Sequence, residues 1–221
     1  MAKRLLFSAK KDGNTIIVSR KEIEFEWVGG FAHTQKVKRL IKFREKLSEE
    51  IQTKHIEVSS GSDNEVGKRL SAFNLRFSSG ELKGFTVESV YQGSKIFLSG
   101  GPYQELYDKP SIVSKKDTRV RTKEPLTGFR LLDDDWPIFP PTGFYNYLYF
   151  LALIQNPELI SSSSRYEYFS DLEFNHEKAI SCQAESLAIF FALYRENLAE
   201  EILQDKNDFL MTTSEIKFIQ G

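Results

Sequence analysis

Three polar residues, Glu88, Gln92 and Lys95, recur at intervals of four and three residues within the stretch VESVYQGSKIF. On an α-helix this spacing places the three side chains on one face. Glu88 would lie in the first helical turn, where the helix dipole stabilises a negative charge, so its carboxylate is suited to accept a proton or to stabilise a cation. Lys95 could supply a cation for a phosphate or, if it is desolvated, an amine nucleophile.

Glycosidic chemistry uses groups of this kind. A carboxylate faces an oxocarbenium-like sugar, and a second group assists departure of the leaving group or attack of water. The same pattern is also typical of a solvated polar stripe on a surface helix. The spacing alone therefore permits a site without identifying one.

The cysteine and histidine residues limit the chemistry further. Cys182 is the single cysteine, which excludes an internal disulfide and a cysteine-rich zinc site. The three histidines, His33, His55 and His176, are widely separated and lack the spacing of metal ligands. We expect no metal site and no cofactor, and we predict that Cys182 is a buried structural thiol in an apolar helix.

Length and charge are those of an ordinary globular domain. The chain has 221 residues and a formal net charge of −1, from 30 basic and 31 acidic residues, so no global attraction to nucleic acid or membrane is implied. Contact with DNA would need a local patch, and SKKDTRVRTK (114–123) is the densest basic stretch. The N-terminal segment lacks a sustained apolar stretch, so we expect a cytoplasmic protein without a membrane anchor.

The elements that would position these residues can be predicted from periodicity. The stretch RLLFSAKKDGNTIIVSR indicates a hairpin with its turn at Asp12, Gly13 and Asn14, followed by a short strand in which Ile23, Phe25 and Trp27 alternate with glutamates. Helical spacing follows in AHTQKVKRLIKFREKLSEEIQ, and HIEVSS indicates another strand.

The rest of the chain is expected to be mainly helical. Thr86 suits an N-cap, which predicts a helix from Val87 to about Leu98. Prolines punctuate residues 100–141 and predict loops and short helices there. Two aromatic-rich core helices are predicted to begin at Thr142 and Glu177. The sequence therefore predicts one α+β domain, with residues 1–60 as an N-terminal elaboration, 61–204 as the core and 205–221 as a tail.

Several segments together resemble one known family. LSAFNL (70–75) followed by VESVYQGSKIF (87–97) is similar to the paired signature of the NADAR superfamily, which has a YbiA-like fold. Further segments resemble one branch, the NADAR antitoxins paired with DarT-type DNA ADP-ribosyltransferases: IEFEWVGGFAHTQK, SGGPYQEL, SKKDTR, WPIFPPTGFYNYLYFLAL and YFSDLEFNHEKAISCQAESLA. The resemblance covers nearly the whole chain and implies a single helix-rich α+β domain with a small N-terminal β-sheet.

The resemblance implies an ADP-ribosyl glycohydrolase that removes ADP-ribose from the amino group of guanine in DNA. ADP-ribosylated DNA would be the substrate, ADP-ribose a product and a DarT-type toxin the counterpart. Glu88 matches the catalytic glutamate, Lys95 the motif lysine and Asp171 an acidic residue before the last long helix. The residues that match the ligand-binding part of the family pattern are Ser71, Phe73, Asn74, Gln92 and Trp136.

Four further residues are predicted to bind the substrate. Gly100 and Gly101 would end the helix and expose backbone N–H groups to a pyrophosphate, although helix termination alone also explains a glycine there. Tyr103 is expected to stack on a base or to pack. Arg119 is predicted to contact a phosphate of ADP-ribose or DNA, and the alternative for its basic stretch is a solvated loop.

Other functions remain open at the level of sequence. One is an N-glycosidase that acts on a small nucleotide-derived substrate. Another is a non-catalytic ADP-ribose-binding module or an antitoxin that sequesters its toxin. The residue types also leave two routes open for catalysis, because Lys95 could form a transient Schiff base with the sugar or act only as a charge while Glu88 orients water.

Overall fold

The computed structural model describes residues 1–13, 15–175 and 180–220, and its helices and two sheets confirm the α+β class. The strands are β1 (Ala2–Asp12), β2 (Thr15–Phe25), β3 (His55–Glu57), β4 (Lys95–Phe97), β5 (Leu126–Leu131), β6 (Asp134–Trp136), β7 (Tyr168–Ser170) and β8 (Lys217–Gln220). The helices are α1 (His33–Arg44), α2 (Glu49–Thr53), α3 (Glu65–Leu70), α4 (Val87–Gly93), α5 (Ser111–Lys116), α6 (Gly143–Ile154), α7 (Pro157–Ser163), α8 (Gln183–Tyr194) and α9 (Lys206–Ser214).

The larger sheet has the strand order β3-β7-β1-β2-β8 and is built on the predicted hairpin. β1 and β2 pair antiparallel from Ala2 opposite Phe25 to Asp12 opposite Thr15, and Gly13 occupies the turn with a positive φ, while Asn14 lies outside the described residues. The short strand expected at Ile23 and Phe25 is the second half of β2, with both side chains buried. β7 runs parallel to β3 and antiparallel to β1, so the chain that leaves β7 lies beside the end of β3.

Two aromatic helices, α6 and α8, fill the main core, as the sequence predicts. α6 begins at Gly143, next to the predicted Thr142, whereas α8 begins only at Gln183 because Cys182 has an extended backbone. Cys182 is buried as predicted but precedes the helix, and residues 176–179, which include the expected helix start, lie outside the described residues. Within the described residues, no helix is both long and apolar enough to cross a membrane.

The second sheet, of order β4-β5-β6, was missed by the sequence prediction for residues 100–141. β5 lies between two antiparallel partners, with Lys95 opposite Phe129 on one side and Trp136 opposite Phe129 on the other. The inward-facing side chains of Phe129 and Trp136 pack on Phe144 of α6, with ring centroids 4.5 and 5.4 Å away. These strands are only three to six residues long, so their alternating pattern is too short to recognise among the surrounding prolines.

The helix predicted from Val87 to about Leu98 ends at Gly93 instead. Its start is as predicted, since the side chain of Thr86 accepts a hydrogen bond from the backbone N–H of Ser89 at 3.2 Å. At Gly93 the helix packs against Tyr107, whose ring would lie 2.6 Å from an added Cβ. The carbonyl of Ser94 then accepts from Arg130 N–H at 2.8 Å, which draws the following residues into β4.

The prediction that Gly100 and Gly101 end this helix is therefore wrong. The two glycines follow β4 in a tight turn, where the N–H of Phe97 donates to the carbonyl of Gly100 at 2.8 Å. Gly101 has a φ of 104°, and a Cβ there would lie 2.2 Å from the carbonyl oxygen of Lys95. Only glycine allows this close approach, so Gly101 helps to fix the backbone of Lys95.

We expect Gly101→Ala to destabilise the protein more than Gly80→Ala does. Gly80 also has a positive φ, 70°, but an added Cβ there would meet nothing within 4 Å. Gly80→Ala should therefore lose about 1 kcal/mol of unfolding free energy from backbone strain alone. Gly101→Ala should lose clearly more, because the backbone of β4 must also move. Urea denaturation of both variants measures the difference, and equal losses would contradict the steric argument.

Candidate functional site

A cavity of about 980 Å³ opens between α4, α5, the segment after β3 and the segment after β7. The polar side chains that line it include Ser71, Glu88, Gln92, Lys95, Lys115 and Asp171. Aromatic walls come from Phe73, Tyr91, Phe129 and Tyr145. A concave, largely apolar space with a few polar groups is typical of a small-molecule site.

Glu88, Gln92 and Lys95 converge in this cavity although they do not share one helix. The Nε2 of Gln92 donates to Glu88 Oε1 at 3.0 Å across one turn of α4. The Nζ of Lys95, now at the start of β4, donates to Gln92 Oε1 at 2.8 Å. The amide of Gln92 therefore links the carboxylate to the amine.

Lys115, which the sequence prediction did not include, completes the group. Its Nζ lies 3.4 Å from Glu88 Oε1 and 4.9 Å from the ring centroid of Phe73. Glu88 is almost fully buried, so this cation offsets a charge that would otherwise be expensive to remove from water. The signal was present in the basic stretch 114–123, but spacing alone does not show that the last turn of α5 faces α4.

The amine of Lys95 lies in an environment that disfavours its charged form. Burial lowers the pKa of Lys95 to about 8, Glu88 opposes this shift and Lys115 adds to it. The Nζ also lies 4.8 Å from the ring centroid of Tyr91. A lysine with a lowered pKa has a larger fraction of neutral, nucleophilic amine near neutral pH.

Asp171 forms the opposite wall, directly after β7. Its Oδ1 accepts hydrogen bonds from the backbone N–H groups of Glu173 and Phe174 at 3.0 and 3.2 Å, and its Oδ2 accepts from Gln183 Nε2 at 2.8 Å. Gln183 in turn accepts from Ser71 Oγ at 3.3 Å, so Ser71 and Asp171 are joined through one amide. The sequence offered no spacing signal for Gln183, which comes from the first turn of α8.

Six of the predicted site residues line the cavity: Ser71, Phe73, Glu88, Gln92, Lys95 and Asp171. The other six described residues of the predicted site are not among its lining residues: Asn74, Gly100, Gly101, Tyr103, Arg119 and Trp136. Their own surroundings explain this separation.

Asn74 is exposed and donates to the carbonyl of Lys68 at 2.9 Å. Arg119 lies over the ring of Tyr103 at 4.5 Å, and two neighbouring carboxylates bind its guanidinium. Trp136 is buried in the core, 4.3 Å from Tyr147 between ring centroids. These residues therefore serve local structure at positions outside the cavity.

Comparison with known families adds one finding to this geometry. A family model described as the DarT1-associated NADAR antitoxin matches residues 2–220. The chain belongs to this family. No curated protein matches it. The resemblance inferred from the sequence is confirmed, and this NADAR antitoxin is associated, through the description of its family, with a DarT1 toxin.

The charges around Lys95 predict opposite effects of two substitutions in this NADAR antitoxin. Lys115→Met should raise the pKa of Lys95 above about 8, because a neighbouring positive charge is removed. Glu88→Gln should lower it, because the favourable anion is lost. Titration of the Lys95 ε-carbon by ¹³C NMR measures both shifts. Lys116→Met, one residue along the same helix, is the control and should leave the value unchanged; shifts of the same sign in the first two variants would contradict this electrostatic arrangement.

Proposed function

We propose that this NADAR antitoxin hydrolyses the N-glycosidic bond between ADP-ribose and the amino group of guanine in DNA. The observation that carries the proposal is the linked carboxylate and amine of Glu88 and Lys95 inside a cavity of about 980 Å³. That volume lies at the upper end of the range of small-molecule sites, about 300–1,000 Å³. Family membership supports the antitoxin role, and the chemistry of the cavity supports the reaction.

The bond to be broken is a glycosylamine. It can break through an oxocarbenium ion, or the ribose ring can open to give an imine between the anomeric carbon and the guanine nitrogen. Glu88 would stabilise positive charge at the anomeric carbon or accept the proton released during this rearrangement. Lys115 Nζ lies 3.4 Å from Glu88 Oε1, and the amide of Gln92 links Glu88 to Lys95, so positive charge lies close to this carboxylate.

In the first route Lys95 is the nucleophile. Its neutral amine adds to the anomeric carbon of the imine, and the guanine amine leaves with a proton, so that a Schiff base to Lys95 replaces the bond to guanine. Water then adds to the Schiff base, and lysine and the aldehyde form of ADP-ribose separate. The lowered pKa of Lys95 favours this route.

In the second route water attacks the anomeric carbon directly. Glu88 orients the water and Lys95 acts only through its charge. Asp171 would position the water or the ribose in either route, and Ser71 and Phe73 would line the ligand. Asn74, Gly100, Gly101, Tyr103, Arg119 and Trp136 have no part in the chemistry that we propose.

Release of free ADP-ribose from modified DNA tests the proposal. The protein should release it from guanine-ADP-ribosylated DNA, detected by mass spectrometry, and thymine-ADP-ribosylated DNA serves as the matched control substrate. Release from thymine only, or from neither DNA, would overturn the substrate assignment. Release from a modified guanine nucleotide but not from DNA would favour the small-molecule N-glycosidase instead.

Glu88→Gln should reduce the rate of release by at least about 100-fold, because general acid–base groups contribute on that scale. ADP-ribose binding, followed by calorimetry, should persist in this variant because the cavity keeps its shape. Glu81→Gln, at an exposed position five residues before the N-cap Thr86, is the control and should be fully active. Undiminished release by Glu88→Gln would remove Glu88 from the mechanism and favour a binding module or a sequestering antitoxin.

Lys95→Arg separates the two catalytic routes, because arginine keeps the charge but is not an amine nucleophile. If the Schiff base forms, this variant should be inactive, and borohydride added during turnover should trap an adduct on Lys95 of the unmodified protein. Peptide mass spectrometry locates the adduct, with Lys116 as the internal control. Substantial activity in Lys95→Arg without any adduct would support direct attack by water.

A further inference from the structure

A buried glutamate that the proposed reaction does not use lies behind the cavity wall. Glu57, the last residue of β3, is 2% exposed. Its Oε1 accepts hydrogen bonds from Ser59 Oγ at 2.7 Å and from the backbone N–H of Leu172 at 2.9 Å, and its Oε2 accepts from Ser170 Oγ. A carboxyl group so far from solvent is stabilised by a cation, by several N–H donors or by a proton, and the described partners of Glu57 include one N–H donor and no cation.

The contacts of Glu57 fix the segment that carries Asp171. Because β3 runs parallel to β7, Glu57 lies opposite Ser170 in the sheet. It binds the residue before Asp171 through a hydroxyl and the residue after Asp171 through a backbone N–H. Movement of Glu57 would therefore reorient Asp171 at the cavity wall.

The hydrogen-bond partners of the two carboxyl groups differ in kind. The described partners of Asp171 are the N–H groups of Glu173, Phe174 and Gln183, which can only donate, so they match an ionised carboxylate. Two of the three partners of Glu57 are the hydroxyls of Ser59 and Ser170, and a hydroxyl can donate or accept.

The hydrogen bonds that run from Glu57 through Ser170 to His55 can also exchange their donor and acceptor roles. Ser170 Oγ lies 2.8 Å from Nε2 of the buried His55, and this nitrogen can donate or accept according to the tautomer. On the other side Ser59, whose hydroxyl donates to Glu57 at 2.7 Å, is one of the residues that line the cavity. Glu57 can thus carry a proton without losing a hydrogen bond.

We infer that Glu57 holds the proton of a buried carboxyl pair and thereby positions Asp171 and keeps it ionised at the cavity wall. Only the use of the ionised Asp171 in the reaction rests on the proposed function. Glu57 is a positioning residue in this scheme, since it acts through Asp171 and does not touch the substrate.

The charges around the pair agree with this assignment. Burial and the neighbouring Asp171 raise the pKa of Glu57 to about 8, and burial raises the pKa of Asp171 to about 7, so the proton leaves Asp171 first. Glu173 raises and Lys115 lowers the value at Asp171. Lys36 and Arg39 form ion pairs with Glu173. Tyr145, Tyr149 and Cys182 are neutral, because burial raises their pKa values well above the usual range.

His55 is also neutral at the relevant pH. Burial lowers its pKa from 6.5 to about 3; Arg44 adds to this shift and Asp63 opposes it. Unfolded His55 keeps only a minor fraction of its protons above about pH 7, so this residue contributes little to the pH dependence there. Between about pH 7 and about pH 8, the folded state therefore carries an extra proton mainly on Glu57 and to a smaller extent on Asp171.

The pKa of Glu57 determines whether stability rises or falls with pH. In the unfolded chain Glu57 titrates near its usual value of 4.5, whereas in the folded protein it keeps its proton up to about pH 8. The folded state binds more protons in this interval, so stability falls as pH rises and the fall ends above about pH 8. The lowered pKa of Lys95 produces a change of opposite sign from about pH 8 upwards, and it is common to the proteins compared below.

Glu57→Gln tests the inference because glutamine imitates a protonated glutamate. Urea denaturation between about pH 7 and about pH 8 should give a several-fold fall in the folding equilibrium constant of the unmodified protein. The variant should lose most of this fall. Glu65→Gln, at an exposed position on α3, is the matched control and should keep it.

An unchanged pH dependence in Glu57→Gln would overturn the inference, even if the variant is less stable at every pH. If the variant does not fold, ¹³C NMR titration of the Glu57 carboxyl in the unmodified protein decides, and a pKa near the usual glutamate value would overturn it. Both measurements need no substrate. They therefore give an answer whether or not ADP-ribose is released from DNA, and failure of the proposed function remains a separate result.

Discussion

The removal of several charges from water beside one cavity is the constraint on which the rest of this structure depends. Glu88 and Asp171 are both almost fully buried, and an isolated charge at either position would be strongly destabilising. Each is compensated differently. Glu88 has the ammonium group of Lys115 and the amide of Gln92, whereas Asp171 has three N–H donors and no cation at hydrogen-bond distance among the described residues. The helix ends, the short strands and the turns around the cavity supply these partners.

A change of secondary structure within a few residues makes the central contact. Glu88 and Gln92 are held by α4, but the amine of Lys95 reaches Gln92 from the first residue of a strand. β5 fixes that strand by pairing, and the close approach of Gly101 to the carbonyl of Lys95 fixes it from the other side. A lysine on a continuing helix would be held only by its own helix. Here one sheet neighbour and a turn restrict its backbone, which favours a defined position for the amine.

Local patterns in the sequence predicted part of this arrangement well. The hairpin, the N-cap at Thr86, the core helices and the convergence of Glu88, Gln92 and Lys95 all follow from spacing, turn residues and resemblance. The three side chains do converge, but the premise that one helix carries all of them is wrong, because α4 ends at Gly93. That ending depends on Tyr107 and on the pairing of β4 with β5, which are tertiary contacts between residues distant in sequence. Helical periodicity cannot reveal them.

Tertiary contacts also explain why the sequence prediction did not include three residues of the site. Lys115, Gln183 and Glu57 reach the site from three separate elements, through contacts with Glu88, Ser71 and Leu172 that span 27, 112 and 115 residues of chain. Conversely, Asn74 and Arg119 lie in segments that resemble the family pattern, yet local partners hold them outside the cavity. Short motifs identify which segments meet, but the direction of each side chain is decided by packing.

The two sides of the cavity are suited to different proton states. On one side Glu88 forms an ion pair with Lys115 at 3.4 Å. On the other side burial raises the pKa values of Glu57 and Asp171, and hydroxyl partners allow one of them to stay neutral. Different environments can separate the pKa values of neighbouring carboxyl groups, so that one site holds both an anion and a proton at the same pH. In the cleavage that we propose, the anion is needed close to the sugar, whereas the proton on Glu57 stays in the wall and acts only by positioning Asp171.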